Sequence, residues 1–302
     1  MLPSATLAEP IDYDVVVPKA RALPWYVTYF KPLALPYWLL HAFAVVGPII
    51  TISQDGWHWG NLAMTALVYA VAMFFVTGGY HRYFAHRTYK ASRAVQLVLA
   101  LGAQATLQKG ALWWAAHHRH HHKASDTKGD LHSVRQSGFW WAHMGWILST
   151  DFDETDLSKV KDLATFPELV WLNKYWVLPG LAYAAATFWL GGFNGLVWAW
   201  AVPIVLNWHG TFTINSLSHV FGRQRYATGD DSRNNLLLAI ITHGEGWHNN
   251  HHHYQVSTRQ GFRWWEIDVT YYALRLLSLT RLVHHLHPVP AHIVRGERKP
   301  GR

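Results

Sequence analysis

The chain has no cysteine in its 302 residues, only 15% charged residues, and no glycine-rich dinucleotide fingerprint or haem-binding segment. The first absence removes disulfides, zinc-thiolate sites, iron-sulfur clusters and cysteine nucleophiles together. Scarce charge beside a hydrophobic share of 50% and 18 tryptophans points to a membrane protein. Without a nucleotide or haem module, redox chemistry needs another ligand set and an outside source of electrons. The formal charge of +8 is spread over scattered basic residues. With no recognition module visible, these suit anionic lipid heads or an acidic protein partner, and no nucleic acid. Residues 1–34 lack an apolar run after a basic start, so they are read as a cytoplasmic arm and not a cleaved signal.

Charge is missing in long runs. No charged side chain occurs from residue 32 to 54, from 56 to 81, or across the 48 positions from 175 to 222. A hydrocarbon core of about 30 Å needs ~20 apolar residues to cross. The third run is interrupted by Gly191, Gly192, Asn194 and Gly195, so it holds two spans and a tight turn. Four transmembrane helices are therefore expected, at about 35–54, 60–80, 170–190 and 194–214. The segment from 93 to 109 is too short to cross and contains Gln96, Gln104 and Gln108; it reads as a helix in the interface or against the spans. Residues 131–160 read as folded cytosolic structure, residues 268–283 as an amphipathic helix, and 290–302 as a basic tail whose last eight residues, RGERKPGR, are expected to be disordered.

Lysine and arginine fix an orientation. Three lie before the first span, 12 from Arg82 to Lys174 and 11 from Arg223 onward, with none in either outer turn. The positive-inside rule then places both termini and every histidine-rich segment in the cytoplasm. The expected fold is an all-α, multi-pass integral membrane protein, with a helical cytosolic cap carrying a dimetal site over residues 35–289.

What the chain has in quantity is histidine, 22 in all. In WWAAHHRHHHK, a helix would let His118, His121 and His122 point at one place. His248, His251 and His252 repeat that spacing in GEGWHNNHH. His81 and His86 in HRYFAH are five apart, which on a straight α-helix puts the rings well off one face, so they are expected to flank the site. Any single histidine is more simply a solvated or satisfied residue. Eight in three segments, at roughly four to six ligands per transition metal, suit a pair of ions. Imidazole serves iron and zinc alike, so ligand type leaves the metal open. A metal site under apolar spans implies a substrate with its reactive part in hydrocarbon, such as a fatty acyl chain.

HRYFAH, HHRHHHKASDTKGDLHS, GFWWAHMGW, NSLSH and GEGWHNNHH resemble the histidine boxes of the membrane fatty acid desaturases, in particular the stearoyl-CoA (Δ9) desaturase-like branch. The resemblance runs from about residue 35 to 270. It implies two iron ions liganded by His81, His86, His118, His121, His122, His219, His248, His251 and His252, with Asn215 contributing through a water. It further implies O2 as co-substrate, a saturated acyl substrate gaining a cis double bond, and a separate electron-donor protein of ferredoxin or cytochrome b5 type. His117, His120 and His253 lie beside matching positions without occupying them. Asp130 and Glu245 are candidates to orient ring nitrogens. Arg119 is expected to face away from the ligands and to tolerate substitution.

Ala116 stands where acyl-CoA enzymes of the family tend to carry a basic residue, and Leu131 where a proline is usual. GEGWHNNHH is closer to bacterial and cyanobacterial members, some acting on acyl chains in lipids. Acyl-CoA and acyl-lipid both stay open as substrates. A di-iron alkyl hydroxylase would share the oxidant and differ in product. A histidine-rich metal transporter would instead need ligands near mid-membrane.

Overall fold

The computed structural model describes residues 10–296, whose regular structure is helical apart from one short ladder and two isolated β-bridges. The helices that matter here are α1 (Tyr13–Arg21), α2 (Leu35–Asp55), α3 (Trp59–Phe74), α4 (Arg93–Gln104), α5 (Ala111–Ala124), α6 (Pro167–Lys174), α7 (Leu178–Leu196), α8 (Val202–Asn215), α9 (His248–His253) and α10 (Val269–Leu279). The all-α expectation needs one correction. Strand β1 (Lys90–Ala91) pairs antiparallel with β2 (Val283–His284), because two extended segments meet there and satisfy each other's backbone groups.

Three helical runs are long and apolar enough to cross a membrane: Pro32–Asp55, Trp59–Ala85 and Leu178–His219. The first ends at Gly56, whose φ of 80° lets the chain turn. Leu39, Val45, Ile49, Leu67 and Leu181 are more than half exposed on these runs, the reverse of a soluble helix and the pattern lipid requires. The third run is not straight. Gly192 sits at φ 58°, ψ −148°, the Tyr183 hydroxyl donates to the Ala199 carbonyl at 2.8 Å, and Trp200 Nε1 donates to the Gly180 carbonyl at 3.2 Å. Sixteen residues of straight helix would separate Tyr183 from Ala199 by about 24 Å, so α7 and the helix after it are antiparallel legs of a hairpin. Asn61 and Asn194 exchange amide hydrogen bonds, which brings the two outer turns together.

The helix expected from about residue 170 begins at Leu178. Residues 167–174 form a separate helix, α6, because Leu169 and Leu172 are buried in a core outside the apolar runs and Asn173 Oδ1 accepts from the Trp113 amide at 2.9 Å. That core also contains Tyr80, Phe84, Leu99, Leu112 and Leu274, contributed by the end of the second run, α4, α5 and α10. Helix α4 is capped by Ser92, whose hydroxyl accepts from the Val95 amide, and lies against the cap with Val98 and Leu101 exposed. A second core holds Trp113, Leu131, Trp141, Trp146 and Phe152. Tyr13, Val17 and Ala20 of α1 are buried in it, so this part of the N-terminal arm is docked and not free. Of the C-terminal tail, Ala291–Arg295 form a short helix; the rest of that expectation lies outside the described residues.

Candidate metal centre

Helix α3 continues into a π-helix, Phe75–Ala85, and this change of pitch decides where HRYFAH points. A π-turn closes i to i+5 hydrogen bonds, and the His86 amide donates to the His81 carbonyl at 3.1 Å. The two rings stand 4.7 Å apart. They share one site, contrary to the expectation drawn from α-helical spacing.

The nine histidines separate into two groups whose facing atoms lie within 4.8 Å of one another: His81, His86, His118, His122 and His251, and then His121, His219, His248 and His252. His118, His121 and His122 therefore do not aim at one place. On α5 the i,i+4 pair His118 and His122 serves the group of five while His121 serves the group of four; on α9 His248 and His252 serve the group of four and His251 the group of five. Residues i and i+4 share a helix face, and the i+3 residue lies on its other flank. Each H-x-x-H-H segment thus fans across both groups, and rings of the two groups meet at His122 and His252, 4.5 Å apart.

The nitrogens have the spacing a metal needs. Nε2 to Nε2 separations are 2.8 Å for His86 and His118, 3.0 Å for His118 and His122, 3.0 Å for His122 and His251, 3.0 Å for His81 and His251, and 3.1 Å for His219 and His248. Neighbouring vertices of an octahedron lie about 3 Å apart when metal-nitrogen bonds are about 2.1 Å. Nε2 of His121 and of His252 are buried with no hydrogen-bond partner, which suits a donor set awaiting an ion.

Four carboxylates hold the outer ring nitrogens. His81 Nδ1 is 2.5 Å from Glu245 Oε2, His121 Nδ1 2.8 Å from Asp130, His219 Nδ1 2.9 Å from Asp126, and His252 Nδ1 2.6 Å from Asp230. A ring whose Nδ1 proton goes to a carboxylate presents a bare Nε2 to the ion. Asp126 and Asp230 were missed from the sequence; both are remote from their partners along the chain, and only the fold pairs them. Glu245 is held in turn by the fully buried Arg82, which also meets Asp268 at 2.8 Å. His132, likewise missed, has its ring 4.1 Å from that of His121 and groups with it and Asp130.

Burial dominates the electrostatics. It pushes His86, His118, His122, His248 and His251 well below the ordinary imidazole range, helped by repulsion among the rings. Burial also lowers His252, to about 4, although Asp230 opposes it. His121 is the exception: burial works against its charge, but Asp130 overrides it and the pKa rises. Burial likewise opposes the charge on Asp130, yet His121 brings the carboxyl down to about 2.

The adjacent histidines are occupied elsewhere. His117 stacks on Trp113 with centroids 4.3 Å apart, His120 on Tyr13 at 3.8 Å and His253 on Tyr226 at 4.0 Å. Arg119, expected to face away from the histidines, lines one opening with His86 and His122 and is not idle. It donates to the Phe84, Ala85 and Lys159 carbonyls and grips Asp162 through both carboxylate oxygens, clamping α5 to the end of the HRYFAH segment.

Below both groups lies a cavity lined by Met73, Val76, Thr77, Trp114, Ile214 and Asn215. A neighbouring cavity, lined by Gln108, Trp113, Trp146 and Phe212, shares Trp114, His118, Thr211 and Asn215 with it. Trp114 is fixed between Tyr80 and His118, stacked on both. The arrangement offers a narrow, largely apolar slot running beneath nitrogen-rich ion sites.

Residues 57–281 match the family model described as fatty acid desaturase. The chain is 34% identical over 239 residues to the sn-1 stearoyl-lipid 9-desaturase of Anabaena variabilis, covering 78% of this chain and 88% of that protein. It is 30% identical over 265 residues to the sn-1 stearoyl-lipid 9-desaturase of Synechocystis, covering 86% and 83%. With the icosanoyl-CoA 5-desaturase of Limnanthes douglasii it shares 36% identity over 244 residues, covering 80% and 67%. Histidine groups spaced to hold metal, an apolar slot beside them and these similarities converge on one assignment: the chain belongs to the fatty acid desaturase family and is an oxidoreductase that desaturates acyl chains.

Proposed function

We propose that the chain introduces a cis double bond at the Δ9 position of a saturated acyl chain, using O2 at two iron ions. The observation that carries this reading is the division of nine histidines into groups of five and four above a single apolar cavity. His81, His86, His118, His122 and His251 would hold one iron and His121, His219, His248 and His252 the other, to which Asn215 would contribute through a water. Bound iron supplies the oxidising power that unactivated methylenes require.

The chain's own residues set the conditions for that chemistry. Glu245, Asp130, Asp126 and Asp230 keep four rings in the tautomer that leaves Nε2 free. Met73, Val76 and Ile214 hold the acyl chain and exclude water, while Trp114 fixes the side of the slot next to His118. Names of the cyanobacterial relatives, and Ala116 in place of a basic residue, favour an acyl-lipid over an acyl-CoA.

The membrane arrangement in this reading has four spans, the third and fourth being the legs of the 178–219 hairpin, with both termini and the iron centre cytoplasmic. Its supports are the distribution of lysine and arginine and the meeting of the outer turns at Asn61 and Asn194. A separate one-electron donor protein, ferredoxin-like or cytochrome b5-like, approaches the basic rim of Arg119, Lys123 and Lys159 around His86 and His122.

Expression in a host unable to make unsaturated fatty acids, followed by gas chromatography of its lipids, tests the reading. A new cis-9 monoene that depends on O2 and on iron is expected. A hydroxylated chain would replace desaturation with hydroxylation, and metal uptake into vesicles with no altered lipid would make the protein a transporter.

A further inference from the structure

Three histidines outside both metal groups form a chain of their own. His41 belongs to α2, His209 to α8, and His143 to the π-helix Trp141–Gly145 of the cap. His41 Nδ1 donates to the Tyr37 carbonyl at 2.7 Å. His41 Nε2 faces His209 Nε2 at 3.0 Å, His209 Nδ1 faces His143 Nε2 at 3.0 Å, and His143 Nδ1 faces Ser216 Oγ at 2.9 Å. The Ser216 hydroxyl is also 2.9 Å from the Phe212 carbonyl. Both ends of the chain are carbonyls, which only accept.

Counting protons exposes its character. Five contacts need five hydrogens, whereas three neutral rings and one hydroxyl supply four. One contact is always short of a proton. With His41 protonated on Nδ1, the gap falls at Ser216, whose single proton is claimed by both His143 and Phe212. With all three rings in the other tautomer, the gap falls between His41 and Tyr37. A proton that fills the gap at one end and leaves at the other converts one state into the other.

We infer that His41, His209 and His143 relay protons from the aromatic cleft beside α2 to Ser216, next to the cavity under the histidine groups. The cleft, of about 530 Å³, lies between the start of α2 and the cap. Its wall residues Trp38, Phe139 and Trp140 also pack on the relay: Trp38 on His41, Phe139 and Trp140 on His143. At the inner end, Phe212, whose carbonyl the Ser216 hydroxyl meets, and Asn215, the residue before Ser216, line the cavity. Tyr37, Trp208 and Phe212 complete the surroundings, with the Tyr37 hydroxyl donating to Met144 Sδ. Among the described residues no carboxylate, guanidinium or ammonium group pairs with any of the three rings, so only the Tyr37 carbonyl, Ser216 and the rings themselves compete for their protons. Neutral rings at rest suit the burial of His143, which holds it near 4.

The relay rests on the O2-dependent reading above, which creates the demand. Each turnover converts a saturated –CH2–CH2– unit, O2, two electrons from the donor protein and two protons into –CH=CH– and two waters. Two of the hydrogens in those waters come from substrate; the other two come from solvent and must enter a slot that excludes it.

Two measurements on the full chain in lipid nanodiscs test this. In 15N-histidine spectra of the metal-free protein, His143 is expected to exchange between its two neutral tautomers, and Ser216→Ala is expected to fix it with the proton on Nε2. A wild-type His143 already fixed in one tautomer overturns the relay. In the iron-loaded protein, His209→Ala is expected to lower kcat about tenfold, with KM and iron content unchanged, and added imidazole is expected to restore it. No loss, or a loss imidazole does not recover, also overturns it. A wild-type protein that forms no double bond would defeat the O2-dependent reading instead, while the tautomer measurement would still judge the chain of rings.

Discussion

His121 and His122 are neighbours in sequence with rings 5.4 Å apart, yet their nitrogens belong to different ligand groups. Successive helical residues diverge by about 100°, so α5 stands between the two groups and serves both. Replacing either residue with Ala is expected to remove activity and lower the iron content from about two ions per chain toward one. Metal analysis of purified protein beside product analysis checks this; full iron in an inactive His122→Ala protein would show that His122 is not a ligand.

The carboxylates behind the rings are expected to matter almost as much as the rings themselves. Asp130→Asn keeps the shape but exchanges an acceptor for a group that can present an N–H to His121 Nδ1. Iron affinity or activity is expected to fall about 10- to 100-fold. Asp230→Asn, acting through His252, should do likewise. Competition with a chelator measures the affinity, and wild-type retention in both variants would argue against an orienting role.

Arg119→Ala is expected to be damaging, although Arg119 belongs to neither histidine group. The substitution strands the Phe84, Ala85 and Lys159 carbonyls together with the Asp162 carboxylate. Losing hydrogen bonds from a charged donor costs about 2 kcal/mol or more, the Asp162 pair adding little because it is partly solvated. A lower Tm in detergent, with His86 displaced and iron lost on mild heating, is the outcome to look for. An unchanged Tm would mean the clamp is redundant.

Acid should act on the metal-free protein in two windows. His86, His118, His122, His248, His251 and His252 have folded pKa values below the unfolded value of about 6.5, so the unfolded chain binds more protons as pH falls past that value. Stability present above it is lost progressively toward the folded values, near 4 for His252. Asp130, lowered to about 2, adds a loss only below the ordinary carboxylate range. A Tm falling between pH 7 and 5 checks the first window, and iron should suppress that fall because it occupies the same nitrogens. A flat Tm across that range would mean the rings are already protonated or solvated.

Much of this protein could be read directly from the order of its residues. Uncharged runs are a local property, so the apolar helices, the break at Gly191 and Gly192 and a separate shorter helix within residues 93–109 could be recognised without a structure. Histidine density did the same for the metal chemistry, since imidazole has few other reasons to recur at i, i+3 and i+4. Tertiary structure decided what depends on pitch and on distance across the fold. The π-helix brings His86 to His81, which α-helical counting had kept apart, because i to i+5 closure is set by packing and leaves no mark in HRYFAH. The allotment of His121 to one group and His122 to the other, the service of Asp126 and Asp230, the grip of Arg119, and the alignment of His41, His209 and His143 all join residues that meet only when separate helices pack. Sequence supplied the imidazoles; the angle at which each helix presents them determined which of the two groups each one joins.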